Sequence, residues 1–349
     1  MGFRRGGYTN ERYNIRRCKK SRSILRYSVK ILESKKISPK NHKRIEEAVR
    51  ELNYQVNDFA RGLRTSTSQM IGLLVPGIDN IFTTSLFKKT EKRLTDCNYS
   101  LVLCNYNNSA AAFVEKVAFI RQRMVDGVII LLGGQTTELI QQGLRELQAA
   151  GIPFVLVNGR VDGIEADTVL ADNVQAIYDC VTCLLQNGHR KIGMITAPKN
   201  SYNVYERKAG FRKAYHEAGL TAEEELLFDL EDDKLWPLMA KEKTISFLQE
   251  HPDLTALVLP GYRLTIAGIY AIHHLGRKIG EDIALIGYDC DVINDALNPA
   301  ITYIRLPADE IAAKAIELLL DAIKNKGLKP PQIIRVSAQK IEGLSVFKI

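Results

Sequence analysis

From residue 69 onward the chain alternates short, continuous apolar runs with longer amphipathic stretches, and this alternation restricts the fold more than any other feature. Ile71–Val75, Ser100–Cys104, Gly127–Leu132, Pro153–Val157, Lys191–Thr196, Ala256–Leu259 and Asp282–Gly287 have the length and composition of strands. Runs such as VDGVIILL and DIALIGYD do not alternate polar with apolar residues, so both faces of each strand need cover. That is the pattern of a parallel sheet with helices on both sides. Helices are expected in the intervals, for example over Asn173–Gln186, Tyr205–Ala218 and Lys241–Glu250. A doubly wound sheet with its helices uses about 150 to 200 residues. Residues 69–349 are too many for one such unit, so two lobes with a cleft between them are expected.

The remaining residues differ in charge. The 349-residue chain has a formal net charge of +8. Residues 1–64 carry 18 Lys/Arg against 6 Asp/Glu, a formal +12, whereas the other 285 carry 30 against 34, a formal −4. All the excess positive charge is N-terminal, as in a nucleic-acid-binding head attached to a body with another task.

Within the head, Ser38-Pro39-Lys40 opens a helix expected to reach Tyr54: Ser38 is a good N-cap, Pro39 suits the first helical position, and Ile45, Ala48, Val49 and Leu52 share one face. A helix this short is marginal alone, so that face must pack on a partner within residues 12–34. After Tyr54 a second short helical piece, capped at Asn57, leads into the linker Thr65-Ser66-Thr67-Ser68. The segment ISPKNHKRIEEAVRELNYQVNDFARGLRTSTSQMIGLLVP resembles the third helix, hinge helix and first effector-domain strand of the LacI/GalR family of bacterial transcriptional regulators, and GYDCDVINDALNPAITYIRLP extends the likeness toward the C-terminus. The resemblance covers about residues 30–349.

The resemblance implies an all-α helix-turn-helix head over 1–55, a hinge helix and linker over 56–68, and a periplasmic-binding-protein-like body over 69–349. The body would comprise an N-lobe of about 69–160 and 292–325 and a C-lobe of about 161–291 and 326–349, with crossings near 158–165, 289–293 and 324–328. It implies a homodimeric repressor that binds double-stranded operator DNA and is controlled by a small-molecule effector, a sugar or related metabolite. The hinge positions Asn57, Ala60, Arg61, Leu63 and Arg64 would fold on DNA, Leu63 entering the minor groove as an apolar wedge that kinks the duplex. Residues 1–29 lack the family's Asp-Val-Ala and Gly-Val-Ser elements; a shifted reading frame upstream of about residue 30 and true divergence both account for this. Ser21, Ser23, Arg26 and Ser28 are the polar candidates for a recognition helix. With the reader lost, the same scaffold would be a cytoplasmic small-molecule sensor whose basic head attracts phosphates without sequence preference.

Carried over position by position, the family's effector residues fall on Phe82, Thr83, Asn158, Asn173, Ser201, Asn203, Arg207 and Asp289. A guanidinium fork at Arg207 suits a carboxylate or two vicinal hydroxyls. Arg207 pairing with Glu206, and Asp289 capping the next helix, are the structural alternatives. Where sugar-binding members carry Asn-Asp, this chain reads Pro260-Gly261-Tyr262-Arg263, which removes two polyol acceptors, adds an aromatic and a cation, and makes Tyr262 the candidate there. A smaller, more aromatic or anionic effector, or a pocket that has lost ligand binding, is the expectation.

No catalytic motif stands out: there is no Gly-x-Gly-x-x-Gly after a strand, no phosphate-binding Gly-Lys-Ser/Thr loop, no Gly-x-Ser-x-Gly and no His-Glu-x-x-His. Cys180-Val181-Thr182-Cys183 has redox spacing but lies inside an expected helix, and His273 and His274 diverge on one. Neither a cofactor nor a metal is implied. Six dispersed cysteines read as reduced thiols. No apolar run spans a bilayer, so no membrane partner and a cytoplasmic location are expected.

Overall fold

The structure is a computed structural model that describes residues 67–133, 137–196, 201–230, 236–325 and 329–349. The chain divides into two units, 1–66 and 67–349, of which the second is described here. The helix expected over 38–54 and the hinge expected over 56–64 lie outside the described residues.

The body is built on two six-stranded sheets. The first contains β1 (Met70–Val75), β2 (Ser100–Asn105), β3 (Gly127–Leu131), β4 (Phe154–Val157), β5 (Asp167–Ala171) and β11 (Ile333–Val336), in the spatial order β11-β5-β4-β3-β1-β2 and parallel throughout. The second contains β6 (Ile192–Thr196), β7 (Leu227–Asp229), β8 (Ala256–Val258), β9 (Ala284–Tyr288), β10 (Thr302–Arg305) and β12 (Gln339–Ile341), in the order β12-β10-β9-β8-β6-β7, with only β12 antiparallel. The helices are α1 (Ile81–Asp96), α2 (Ala110–Gln122), α3 (Glu138–Ala149), α4 (Asn173–Gln186), α5 (Tyr202–Glu217), α6 (Trp236–Glu250), α7 (Tyr262–His274) and α8 (Ala308–Asn325).

The apolar runs are continuous because both sheet faces are covered, and the two-residue period decides which side chain meets which layer. Ile71, Leu73, Ile129, Leu131, Val155 and Val157 share a core with Leu86 and Leu94 of α1 and Ala312, Ala315 and Leu319 of α8. Their neighbours Leu74, Val128, Ile130 and Leu156 point the other way, to Phe113, Val117 and Ile120 of α2 and Leu144 and Leu147 of α3. In the second sheet Met194, Val258 and Ile286 pack toward α4 and α5, while Ile195, Leu257 and Leu285 pack toward α6 and α7. The expected α/β fold of two parallel doubly wound sheets is therefore present.

The crossings lie further along the chain than expected. β5 pairs with β4 in the first sheet, Val155 opposite Asp167 and Val157 opposite Val169, so the chain leaves the N-lobe only at Asp172. β10 remains in the second sheet beside β9, which moves the return crossing to Leu306 and Pro307. β11 rejoins β5, placing the last crossing at Ser337 and Ala338. Among the described residues, the N-lobe thus holds those within 69–171 and 308–336, and the C-lobe those within 173–305 and 339–349. Loops replace strands near 158–165 and 289–293, which made those segments look like linkers. Two of the true crossings are tied to neighbours by hydrogen bonds: the Asp172 amide donates to the Val336 carbonyl at 2.9 Å, and the Leu306 amide to Asp289 Oδ1 at 3.0 Å.

Candidate functional site

In parallel α/β sheets the loops after the strand C-termini converge at one edge, and two such edges facing each other enclose a crevice. Here the loops after β1, β2, β3 and β4 meet those after β6, β8 and β9 around a cavity of ≈ 710 Å³. Eight of the nine expected effector positions line it: Phe82, Thr83 and Asn158 from the N-lobe, and Ser201, Asn203, Arg207, Tyr262 and Asp289 from the C-lobe. The ninth, Asn173, is not at the surface of the cavity. It is buried behind the wall, where its Oδ1 accepts from Arg207 Nε at 3.2 Å and its Nδ2 donates to Asn203 Oδ1 at 3.2 Å and Glu206 Oε2 at 3.3 Å. Asn173 therefore sets the pose of two lining residues.

Arg207 is the charged floor of the site. Its side chain is buried, its guanidinium lies 5.5 Å from the centre of the Tyr288 ring, and burial lowers its proton affinity against the opposing pull of Tyr288, Asp289 and Glu206. It does not pair with Glu206, because that carboxylate accepts from Arg335 of β11 at 2.6 Å. Asn173 engages Nε, and among the described residues the two terminal nitrogens are left for a bidentate acceptor. Asp289 stands beside it at a positive φ of 51°, a conformation Asp tolerates better than most residues. Its Oδ1 holds the Leu306 amide instead of capping a helix. Burial pushes the Asp289 carboxyl up to about 7, the Leu306 amide pulling the other way, with Asp291 adding to the rise and Arg207 and Arg305 opposing it. The group is thus poised between acceptor and donor near neutrality.

Two further atoms mark the site as built for a polar occupant. Asn158 Oδ1 and the Tyr288 hydroxyl are buried and have no hydrogen-bond partner among the described residues, and both residues line the cavity. Such atoms cost about 1–3 kcal/mol each when left unpaired. Asn158 is held with φ at 61°, and its carbonyl accepts from Asn203 Nδ2 at 2.8 Å, a bond that joins the two lobes. Phe82 and Thr83 occupy the first turn of α1, whose N-cap Asn80 accepts from the Phe82 amide at 2.9 Å. Ser201 serves as the N-cap of α5, accepting from the Val204 amide at 3.3 Å, so its hydroxyl is already engaged.

Several lining residues escaped the sequence reading, namely Asp79, Asn80, Asn107, Asn108 and Tyr288, whereas Arg263 is the cation expected beside Tyr262. Asn107 and Asn108 follow β2 with φ at 50° and 53°, and adjacent left-handed asparagines after an apolar run were a usable turn signal. Tyr288 ends β9 and reads as core from sequence. Away from the cavity, Cys180 lies in the buried face of α4, where burial pushes its thiol far above the ordinary range, and His274 stacks on Tyr270 at 5.9 Å. The DNA-side candidates Ser21, Ser23, Arg26, Ser28, Asn57, Ala60, Arg61, Leu63 and Arg64 lie outside the described residues.

Two facing parallel sheets with a polar cavity between them define a periplasmic-binding-protein-like ligand domain. A periplasmic binding protein-like domain is matched over residues 181–346. The HTH-type transcriptional repressor PurR of Aliivibrio salmonicida is 27% identical over 312 residues, covering 87% of this chain and 92% of that protein. Among solved structures, a LacI family transcriptional regulator from Enterococcus faecium with bound ribose is 26% identical, with a TM-score of 0.67 over 80% of this chain and 99% of that one. The transcriptional regulator CelR in complex with cellobiose shares the fold, with a TM-score of 0.72 over 90% of this chain and 93% of that one at 22% identity. The likeness to the LacI/GalR family is thereby shown for the body of the chain.

Proposed function

We propose that the chain is a DNA-binding transcriptional regulator, most simply a repressor, whose interlobe cavity binds a small polar metabolite that controls DNA affinity. The observation that carries this reading is the cavity itself. Arg207, Asp289, Asn158 and Tyr288 meet there with unengaged polar atoms, in a body whose relatives are named as repressors and regulators. Donors at Arg207 and acceptors at Asn158 and Asp289 suit a ligand that offers both hydroxyl and acceptor atoms, such as a sugar or a hydroxylated acid. The formal +12 of residues 1–64 supplies the phosphate attraction that operator binding needs.

The working form would be a cytoplasmic homodimer without catalytic activity. Leu103, an exposed apolar side chain on β2, which is an edge strand among the described residues, supports pairing with a second copy. Ligand-driven movement of one lobe against the other would reach the head through β1, which begins directly after the linker, with a coupling of typically about 1–3 kcal/mol. One observation favours the sensor reading instead: residues 1–29 lack the family's helix-turn-helix pattern.

A thermal-shift screen of sugars, sugar acids and nucleobases tests the cavity, and titration of duplex pools selected by the full chain tests the head. Stabilisation by at least one metabolite, abolished in Arg207→Ala, together with enrichment of one duplex sequence supports the regulator. A ligand shift with no enriched sequence supports the sensor. Turnover of the shifting ligand would mean an enzyme.

A further inference from the structure

Arg263 is oddly placed for a helix. It is the second residue of α7, whose N-cap Gly261 supplies no side-chain bond and whose first turn has no acidic residue. A cation there faces the positive end of the helix dipole. The compensating charge comes from the other lobe: the Arg263 guanidinium forms an ion pair with Asp79, in the loop between β1 and α1. Asp79 is itself held in place, because the next residue, Asn80, caps α1 and Thr84 Oγ1 donates to the Ile78 carbonyl at 2.8 Å. Both partners line the cavity.

We infer that Asp79 and Arg263 form a latch between the lobes at the cavity, so that the chain's own charges close the cleft before any ligand enters. The inference rests on reading this cavity as the ligand site. Other interlobe contacts, Asn203 to the Asn158 carbonyl and Arg335 to Glu206 and to the Tyr202 hydroxyl, are made beside it. Asp79 and Arg263 are the pair that an entering ligand must part or bypass. Asp79 meets the Arg263 guanidinium, so its removal costs the ion pair and leaves a cation facing the positive end of α7. A ligand with an anionic group can take its place on Arg263, whereas a neutral ligand leaves the pair intact.

The test is the distance between lobes in the full chain with no metabolite added. Energy transfer is measured between fluorophores introduced by non-cysteine chemistry at the exposed positions Glu138 on α3 and Glu242 on α6. Asp79→Asn and Arg263→Gln are each expected to raise the open-to-closed ratio about 1.5- to fivefold, the range for an exposed ion pair. Salt at about 1 M, where screening falls to about 3 Å, should do the same to the unaltered chain. The exchanged pair Asp79→Arg with Arg263→Asp should recover the closed distance. An unchanged ratio in both single variants and in high salt overturns the latch, as does an exchanged pair as open as the singles. A cavity that binds no metabolite leaves these distances as they are, and a failed latch leaves the ligand titrations as they are.

Discussion

Asp289 does two things at once, facing the cavity and holding the Leu306 amide where the chain crosses between lobes. Its carboxyl is raised from 3.8 to about 7, chiefly by burial. The folded protein therefore keeps a proton that the unfolded chain releases, and stability falls as pH rises from about 4 to about 7 and stays reduced above it. Asp289→Asn keeps Oδ1 for Leu306 and tolerates the positive φ, but removes the ionisation. The drop in melting temperature between about pH 5 and about pH 8 is expected to be smaller in this variant than in the unaltered chain, by calorimetry. Tyr288 makes the complementary case, because its buried hydroxyl has no partner among the described residues. Tyr288→Phe should leave the ligand-free protein as stable or more stable, by up to about 1 kcal/mol, while weakening ligand binding about tenfold. A parallel loss of both in thermal shift and calorimetric titration would mean that the hydroxyl is structural. Arg207→Lys keeps the charge and loses the fork, so it should weaken binding nearly as much as Arg207→Ala.

At the scale of elements, α4 and α5 approach closely at Gly210. A Cβ on Gly210 would sit 2.3 Å from the Val174 carbonyl oxygen, so only glycine permits this approach. Gly210→Ala should cost about 1–3 kcal/mol in chemical denaturation, more than an exposed helical Gly→Ala change, which usually stabilises. How much of the fold the sequence revealed follows the continuity of each apolar run. All seven strands read from it correspond to observed strands, β1 to β4, β6, β8 and β9; all but the edge strand β2 are mostly buried under two helical layers and therefore written as a continuous apolar run. The other five lack such a run: β5, though internal, opens with the polar Asp167-Thr168, β7 and β12 have three residues each, β10 has four, and β11 alternates more and less exposed positions. Their pairing is decided by tertiary neighbours, so no local pattern announces them. Missing β5 and β10 is what displaced the expected crossings.

For the molecule as a whole, the charge split and the cavity describe one device with two ends. Eight of nine expected effector residues line one cavity because each follows a strand whose position the apolar runs had already set. The Asp79–Arg263 pair was not legible, since it depends on how two lobes face each other, and neither residue has a partner within its own segment. The head adds the remaining prediction: duplex affinity of the full chain should fall steeply with salt, in proportion to the phosphates its Lys and Arg neutralise. The most direct test of the account is the affinity of the full chain for its best selected duplex, measured by fluorescence anisotropy at fixed salt with and without the metabolite that stabilises the protein. The account predicts a preference for that duplex over a scrambled one that changes about 5- to 150-fold when the metabolite is added, and does not change in Arg207→Ala. Equal affinity for both duplexes, indifferent to the metabolite, would contradict it.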